Sequence, residues 1–293
     1  MYRLHSEWPD SESELSQALE TEAFKPCSAF TEESYGFEPP VEAEDKSLAR
    51  RLAGADLMQL RLQSKILPTA AVNEALVERV AEFSSRMLRD PSRKEKRDLK
   101  ESVYGELLPQ ALLKSERIRG FYLPQEEVLA VCTSSEKTAD MFIESLRDAL
   151  GSLLVTPFAC RKPGKQLLGS VFMGKSGSAF KIGAECRMKD PGDEKASVTW
   201  SEVNLEDASV RKHVADGFYV DKLGLIFGEV AALTLDEELI FRKFKVEGGD
   251  GAYDELPEED PLARHDAEFV LESGIIGRVV AALKNELGGF EER

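Results

Sequence analysis

Ala75-Leu-Val-Glu-Arg-Val-Ala-Glu-Phe-Ser-Ser-Arg-Met-Leu-Arg-Asp90-Pro-Ser-Arg-Lys-Glu-Lys-Arg-Asp-Leu-Lys100-Glu-Ser-Val-Tyr-Gly-Glu-Leu-Leu-Pro109 is the stretch on which the fold turns. Leu76, Val80, Phe83 and Met87 recur at spacings of four, three and four, which places them on one stripe of a helix from about Val72 to Leu88. Asp90-Pro91-Ser92 stops that helix, and a second starts after Ser92 with Leu99, Val103 and Leu107 as its stripe. Leu108-Pro109 ends it, because proline lacks the donor a helix interior needs. The two helices form an antiparallel hairpin. Neither apolar stripe is wide enough for burial all round, so the hairpin projects from the body.

Outside the hairpin the periodicity changes. Met58, Leu60 and Leu62 alternate with Gln59, Arg61 and Gln63, and Val128 to Cys132 reads as a more buried strand. Ala139, Phe142, Ile143, Leu146 and Leu150 mark an amphipathic helix ended by Gly151. From Gln166 to Val246 short strand-like runs dominate: Val198 to Trp200, Phe218 to Val220, Leu223 to Phe227, Val230 to Leu235 and Leu239 to Val246. A last helix runs from Asp266 to Leu287, with Gly274 and Gly277 as weak points, and closes on Gly288-Gly289. Strands and helices mix without βαβ alternation, so the class is α+β.

The chain has 293 residues, 42% of them hydrophobic, enough for a substantial core. No apolar run is long enough for a bilayer span; Ile275 to Leu283 is short and interrupted by Gly277 and Arg278. Acidic residues follow Met1-Tyr2-Arg3-Leu4-His5 at once, leaving no apolar signal segment, so a cytoplasmic location is expected. Cys27, Cys132, Cys160 and Cys186 are scattered, as are the three histidines, so neither a metal site nor a disulfide scaffold is expected. The cysteines read as reduced, mostly buried thiols.

Charge is segregated. The total is 38 − 54 = −16, which by itself opposes a polyanionic partner. Met1 to Lys46 holds twelve acidic and three basic residues, and Glu247 to Asp260 seven acidic and no basic ones. Between Arg86 and Lys100 the balance inverts: Arg86, Arg89, Arg93, Lys94, Lys96, Arg97 and Lys100 against Asp90, Glu95 and Asp98 gives 7 − 3 = +4. These cations, with Lys114 and Arg117 just beyond, are the candidate residues for binding a polyanion. The bland alternative is a solvated helix face laced with i,i+4 pairs.

Gly169-Ser-Val-Phe-Met-Gly174-Lys175-Ser176 satisfies the P-loop expression and makes a nucleotide hydrolase the alternative enzyme reading. Its context argues against it. Val171-Phe172-Met173 is apolar and strand-like, and Gly177, Ser178 and Gly183 follow where a helix should begin, with Phe180 and Ile182 alternating as in a strand. There is no Gly-x-Ser-x-Gly, His-Glu-x-x-His or Gly-x-Gly-x-x-Gly arrangement. His213 and His265 sit in charged helical contexts that suit surface or helix-pairing roles.

Several segments together resemble the RdgC family of bacterial DNA-binding proteins: Tyr2-Arg-Leu4, Ala23-Phe-Lys-Pro-Cys27, Tyr35-Gly-Phe-Glu-Pro-Pro40, Lys65-Ile-Leu-Pro68, Leu107-Leu-Pro-Gln-Ala111, Leu146-Arg-Asp-Ala-Leu-Gly-Ser-Leu153 and Arg264-His-Asp-Ala-Glu-Phe269 with Leu287-Gly-Gly289. They occur in family order along nearly the whole chain. The resemblance implies a horseshoe-shaped α+β subunit whose helical finger and base meet a second copy, closing a ring-shaped homodimer with a basic hole. It further implies a non-catalytic, nucleoid-associated protein that binds double-stranded DNA with little sequence preference and competes with RecA, without a cofactor. The expected lobes are a central one from 1–70 and 120–165, the finger from 71–119 and a strand-rich base with a C-terminal helix from 166–293. Departures from the family pattern are a start at Met1-Tyr2, where relatives carry a short apolar strand first, so that either an edge strand is missing or the start is misplaced, Gln110 and Leu112 in place of an arginine and an aromatic, and Ser201-Glu202 in place of paired lysines. The last two remove positive charge and an aromatic contact, which keeps a family-like scaffold without DNA binding among the alternatives.

Overall fold

Two antiparallel sheets organise the protein in a computed structural model that describes residues 1–41, 46–175, 177–247 and 260–291. Most of the acidic run from Glu247 to Asp260, and Ser176 of the P-loop-like match, lie outside the described residues. The first sheet contains β1 (Tyr2–Leu4), β2 (Glu33–Glu38), β3 (Ala49–Leu52), β4 (Ala55–Ile66), β5 (Leu112–Leu123), β6 (Val128–Val131) and β7 (Val155–Pro157). Its order is β2-β4-β5-β6-β1-β7, with β3 also on β4. Tyr2–Leu4 thus forms a strand held between β6 and β7.

The polar-apolar alternation of β4 continues across the sheet because its register with β5 is unbroken, from Asp56 opposite Tyr122 to Ile66 opposite Leu112. Leu60, Ile118 and Leu129 face one way and are covered by α1 (Glu12–Leu19) and α4 (Glu136–Leu150) through Leu15, Leu19, Phe142 and Leu146. Each such fully buried side chain contributes roughly 1.5–3 kcal/mol. On the opposite face Leu57 and Phe121 join a second apolar cluster, in which Phe121 stacks on Phe269 of the last helix at 5.7 Å.

Where β4 and β5 would ordinarily be joined by a tight turn, the chain inserts α2 (Thr69–Met87) and α3 (Arg93–Leu107). The hairpin therefore extends from the end of two long paired strands. Burial fades along it. Val72, Leu76, Val103 and Leu108 are buried at the base, Val80 and Phe83 are half-buried, and Met87 and Leu88 at the tip are exposed.

The second sheet has the order β12-β11-β10-β8-β9, from β8 (Phe180–Asp190), β9 (Asp193–Ser201), β10 (Tyr219–Phe227), β11 (Ala231–Asp236) and β12 (Phe241–Val246). One face packs on α5 (Gly164–Phe172) and α7 (Pro261–Glu286), with Leu223, Leu225 and Leu233 against Leu168, Phe172, Val279 and Leu283. A short helix, α6 (Ala208–Ala215), lies between β9 and β10. The last helix begins earlier than its apolar pattern indicates, because Asp260 caps it through Leu262 and Ala263 and Pro261 occupies its first turn. It runs unbroken through Gly274 and Gly277.

One reading is overturned. Val171 and Phe172 are not strand-like: residues Gly164–Phe172 form α5, whose Leu167, Leu168, Val171 and Phe172 are buried along one helical face. A run of consecutive apolar residues with period-3.6 burial is ambiguous between strand and helix until its neighbours are known. The P-loop reading fails on the corrected structure too. Its order is helix, turn at Gly174 with φ 70°, then strand β8, the reverse of the strand-loop-helix order that a phosphate cradle requires. The thiols also divide: Cys160 and Cys186 are buried, Cys27 is half-buried, and Cys132 is exposed.

Candidate nucleic-acid interface

The hairpin turn is built by its own charged residues. Ser92 caps α3, accepting from the Glu95 backbone N–H at 3.4 Å, and its own N–H donates to the Glu95 carboxylate at 2.8 Å, a reciprocal capping box. The Arg89 guanidinium donates to both Glu95 oxygens, at 2.9 and 2.6 Å, and lies 5.3 Å from the Phe83 ring centroid. The Arg89 guanidinium, aided by the Ser92 backbone and hydroxyl, holds the Glu95 carboxyl far below the usual carboxylate range, at about 2. Leu88, in the left-handed region at φ 54°, turns the chain out of α2. Arg89 is therefore committed to the turn.

The remaining cations fall into two groups. Arg93, Lys96, Arg97 and Lys100 stand at positions i, i+3, i+4 and i+7 of α3 and share one exposed face, with Lys94 to its side and Arg86 at the end of α2. Among the described residues, the side chains of Arg86, Arg93, Lys94, Lys96 and Lys100 make no hydrogen bond or ion pair, and that of Arg97 has only Asp98 at 3.9 Å. Lys114 and Arg117 are separated from this face and from each other. Three residues apart on β5, they point to opposite sides of the sheet. Lys114 pairs with Glu116, and Arg117 donates to Glu38 at 2.7 Å.

Placing cations in the first turns of α3 opposes the helix dipole, which favours negative charge there. An external anion placed at that end would be attracted by the helix N-terminus and the cations together. On α2 the acidic residues Glu74, Glu78 and Glu82 follow one another at i, i+4 and i+8 along an exposed face, while on α3 Asp98 and Glu101 flank the cationic face on the Arg97 side.

A second basic strip was readable only as polar alternation. Arg61 on β4 lies opposite Arg117 on β5, and Gln59 opposite Arg119, all on the sheet face that leads from the hairpin base. Arg61 and Arg117 share one carboxylate, Glu38, at 3.3 and 2.7 Å, so this pairing leaves surplus positive charge. Arg61 also lies 4.6 Å from the Phe24 ring, and Arg119 pairs with Glu272 at 3.2 Å. The alternation of Gln59, Arg61 and Gln63 carried this signal; the matching residues on β5 required the register.

Among the described residues no group of three or more His, Cys, Asp or Glu side chains is arranged to hold a metal ion, and no helix is long and apolar enough to cross a membrane. His213 packs against Trp200 and Phe218, with ring centroids at 4.8 and 5.9 Å.

Residues 1–290 match the family model described as "Putative exonuclease, RdgC". The chain is 32% identical over 296 residues to the "Recombination-associated protein RdgC" of Shewanella oneidensis, an alignment that covers 100% of this chain and 97% of that protein. The proteins of the same name from Shewanella loihica and Shewanella halifaxensis are 32% and 30% identical over 294 residues, with the same coverage. A match of this extent agrees with the ordered set of segments from Tyr2-Arg-Leu4 to Leu287-Gly-Gly289, and the chain belongs to the RdgC family.

Proposed function

We propose that this protein acts in DNA recombination by binding double-stranded DNA without sequence preference, as a ring-shaped homodimer of horseshoe-shaped subunits that occludes the duplex and restrains RecA. In this reading the finger spans 71–119, the central lobe 1–70 and 120–165, and the base 166–293, and the protein is nucleoid-associated and cytoplasmic. The observation that carries it is the exposed α3 face of Arg93, Lys96, Arg97 and Lys100, with one distant carboxylate partner among the described residues, on a protein of net charge −16. The names of the relatives support the recombination role. Such a face holds a phosphate backbone but offers no arrangement for reading base edges, so affinity is electrostatic and sequence-tolerant.

The experiment is a salt titration of duplex binding. Replacing Arg93, Lys94, Lys96 and Arg97 together with alanine is expected to weaken binding about equally on all duplexes and to lower the slope of log K against log salt by up to about 0.9 per lost phosphate contact. A folded variant with unchanged affinity and slope overturns the assignment. The family description supports a second reading, in which the chain cuts DNA ends. End-labelled duplex incubated with magnesium or manganese separates the two: shortening that depends on the metal supports the nuclease, and an intact label supports occlusion.

A further inference from the structure

The outer face of the second sheet is irregular at three places that meet around one lysine. β10 carries Asp221 as an extra residue between Val220 and Lys222, β8 carries extra residues between Ile182 and Cys186, and β12 carries one between Arg242 and Lys245. In the last bulge Lys243 takes a left-handed φ of 50°, a conformation lysine keeps only where its surroundings hold it. Bulges re-aim side chains. Here they turn Arg187, Lys222, Arg242 and Lys243 towards a shallow pocket of about 250 Å³, which Glu185, Cys186, Thr199 and Thr234 also line.

The carboxylates nearby are already taken. Asp221 accepts from Arg187 at 3.0 and 2.9 Å and pairs with Lys189 at 3.4 Å; Asp236 pairs with Arg242 at 3.4 Å. Glu185 holds Lys243 and the Thr234 hydroxyl, and Glu237 holds Lys189 at 3.0 Å. Five cations (Arg187, Lys189, Lys222, Arg242 and Lys243) thus meet four carboxylates, and the surplus is Lys222, which makes no hydrogen bond or ion pair among the described residues. Burial, then Arg187 and Arg242, push the Lys222 ammonium below its ordinary lysine value. A solvated lysine with no further task would lie away from two guanidinium groups, above all on a chain with 54 acidic residues.

We propose that this pocket binds the phosphate group, with the Lys222 ammonium, the Arg242 guanidinium and the Thr199 hydroxyl as its contacts. A phosphate supplies the negative charge that the cluster lacks among the described residues, and enough acceptor oxygens for all three donors. The pocket suits a phosphate or diphosphate in size, and among the described residues no aromatic side chain lines it to stack a base, so the phosphate itself is what is recognised. The inference does not depend on the hairpin, because its residues belong to another sheet.

The test titrates the full-length protein with pyrophosphate at low ionic strength by calorimetry. Saturable binding is expected, weakened at least about tenfold by Lys222→Gln. It should be retained by Lys222→Arg and untouched by the quadruple hairpin variant. In NMR of isotopically labelled lysine, pyrophosphate should raise the Lys222 pKa. A second arm measures duplex DNA. A lower salt slope in Lys222→Gln identifies the DNA backbone as the phosphate source, and an unchanged slope with lost pyrophosphate binding identifies a free phosphorylated compound. No pyrophosphate binding by the wild type, or equal binding by Lys222→Gln, overturns the site.

Discussion

Two residues show how local chemistry sets the boundaries of this molecule. Gly36 lies where the backbone of Ala23 and Phe24 crosses β2: a Cβ there would stand 2.6 Å from the Phe24 N and Cα atoms. Backbone cannot move aside as a side-chain end can, so Gly36→Ala is expected to destabilise the protein by about 1–3 kcal/mol, read as a lower denaturant midpoint. At the hairpin tip the Glu95 carboxyl, held at about 2 by Arg89 first and Ser92 second, gives the turn a defined pH dependence. Its folded value lies below the unfolded one, so its contribution is complete above the ordinary carboxylate range and is lost as pH falls towards about 2. Amide exchange at Ser92 and Glu95 should accelerate relative to its intrinsic rate across that window. Protection that stays constant down to pH 2 would show that the Arg89–Glu95 pair does not hold the tip.

At the scale of elements, the hairpin and the last helix illustrate opposite uses of an apolar stripe. The α2 stripe of Leu76, Val80, Phe83 and Met87 was legible from spacing alone, yet its burial declines towards the tip because the sheet supports only the base. In α7 the stripe stays buried on both sides of Gly277, and a Cβ added there meets nothing within 4 Å. Gly277→Ala should therefore stabilise the protein by about 1 kcal/mol through helix propensity, measured as a raised melting temperature. A lower melting temperature would mean that the glycine is needed for close packing.

At the scale of the molecule, charge segregation and exposed apolar surface lead to the same expectation. Met87 and Leu88 are 48% and 90% exposed at the hairpin tip, and Leu112 is 75% exposed near its base. A single subunit leaves this surface in water, and the proposed closed dimer is expected to cover it. Sedimentation of the protein at micromolar concentration is expected to give about twice 32.5 kDa. A monomer that persists at that concentration overturns the ring, though not the membership in the family.

The sequence by itself determined the hairpin, the alternation of β4, the α+β class and the family, because these depend on short-range periodicity, turn chemistry and the order of local segments. It misjudged α5, since buried apolar runs look alike in helix and strand when both sides are covered. Tertiary structure alone decided which cations are free. Arg89 and Arg97 are both hairpin arginines, but one is clamped by Glu95 across the turn and the other is open to solvent. The Lys222 pocket is likewise invisible in sequence, because its cations come from β8, β10 and β12 and converge only through strand register and the bulges that interrupt it. Local pattern fixes which face of an element is apolar; which charges meet across space depends on contacts between residues distant in the chain.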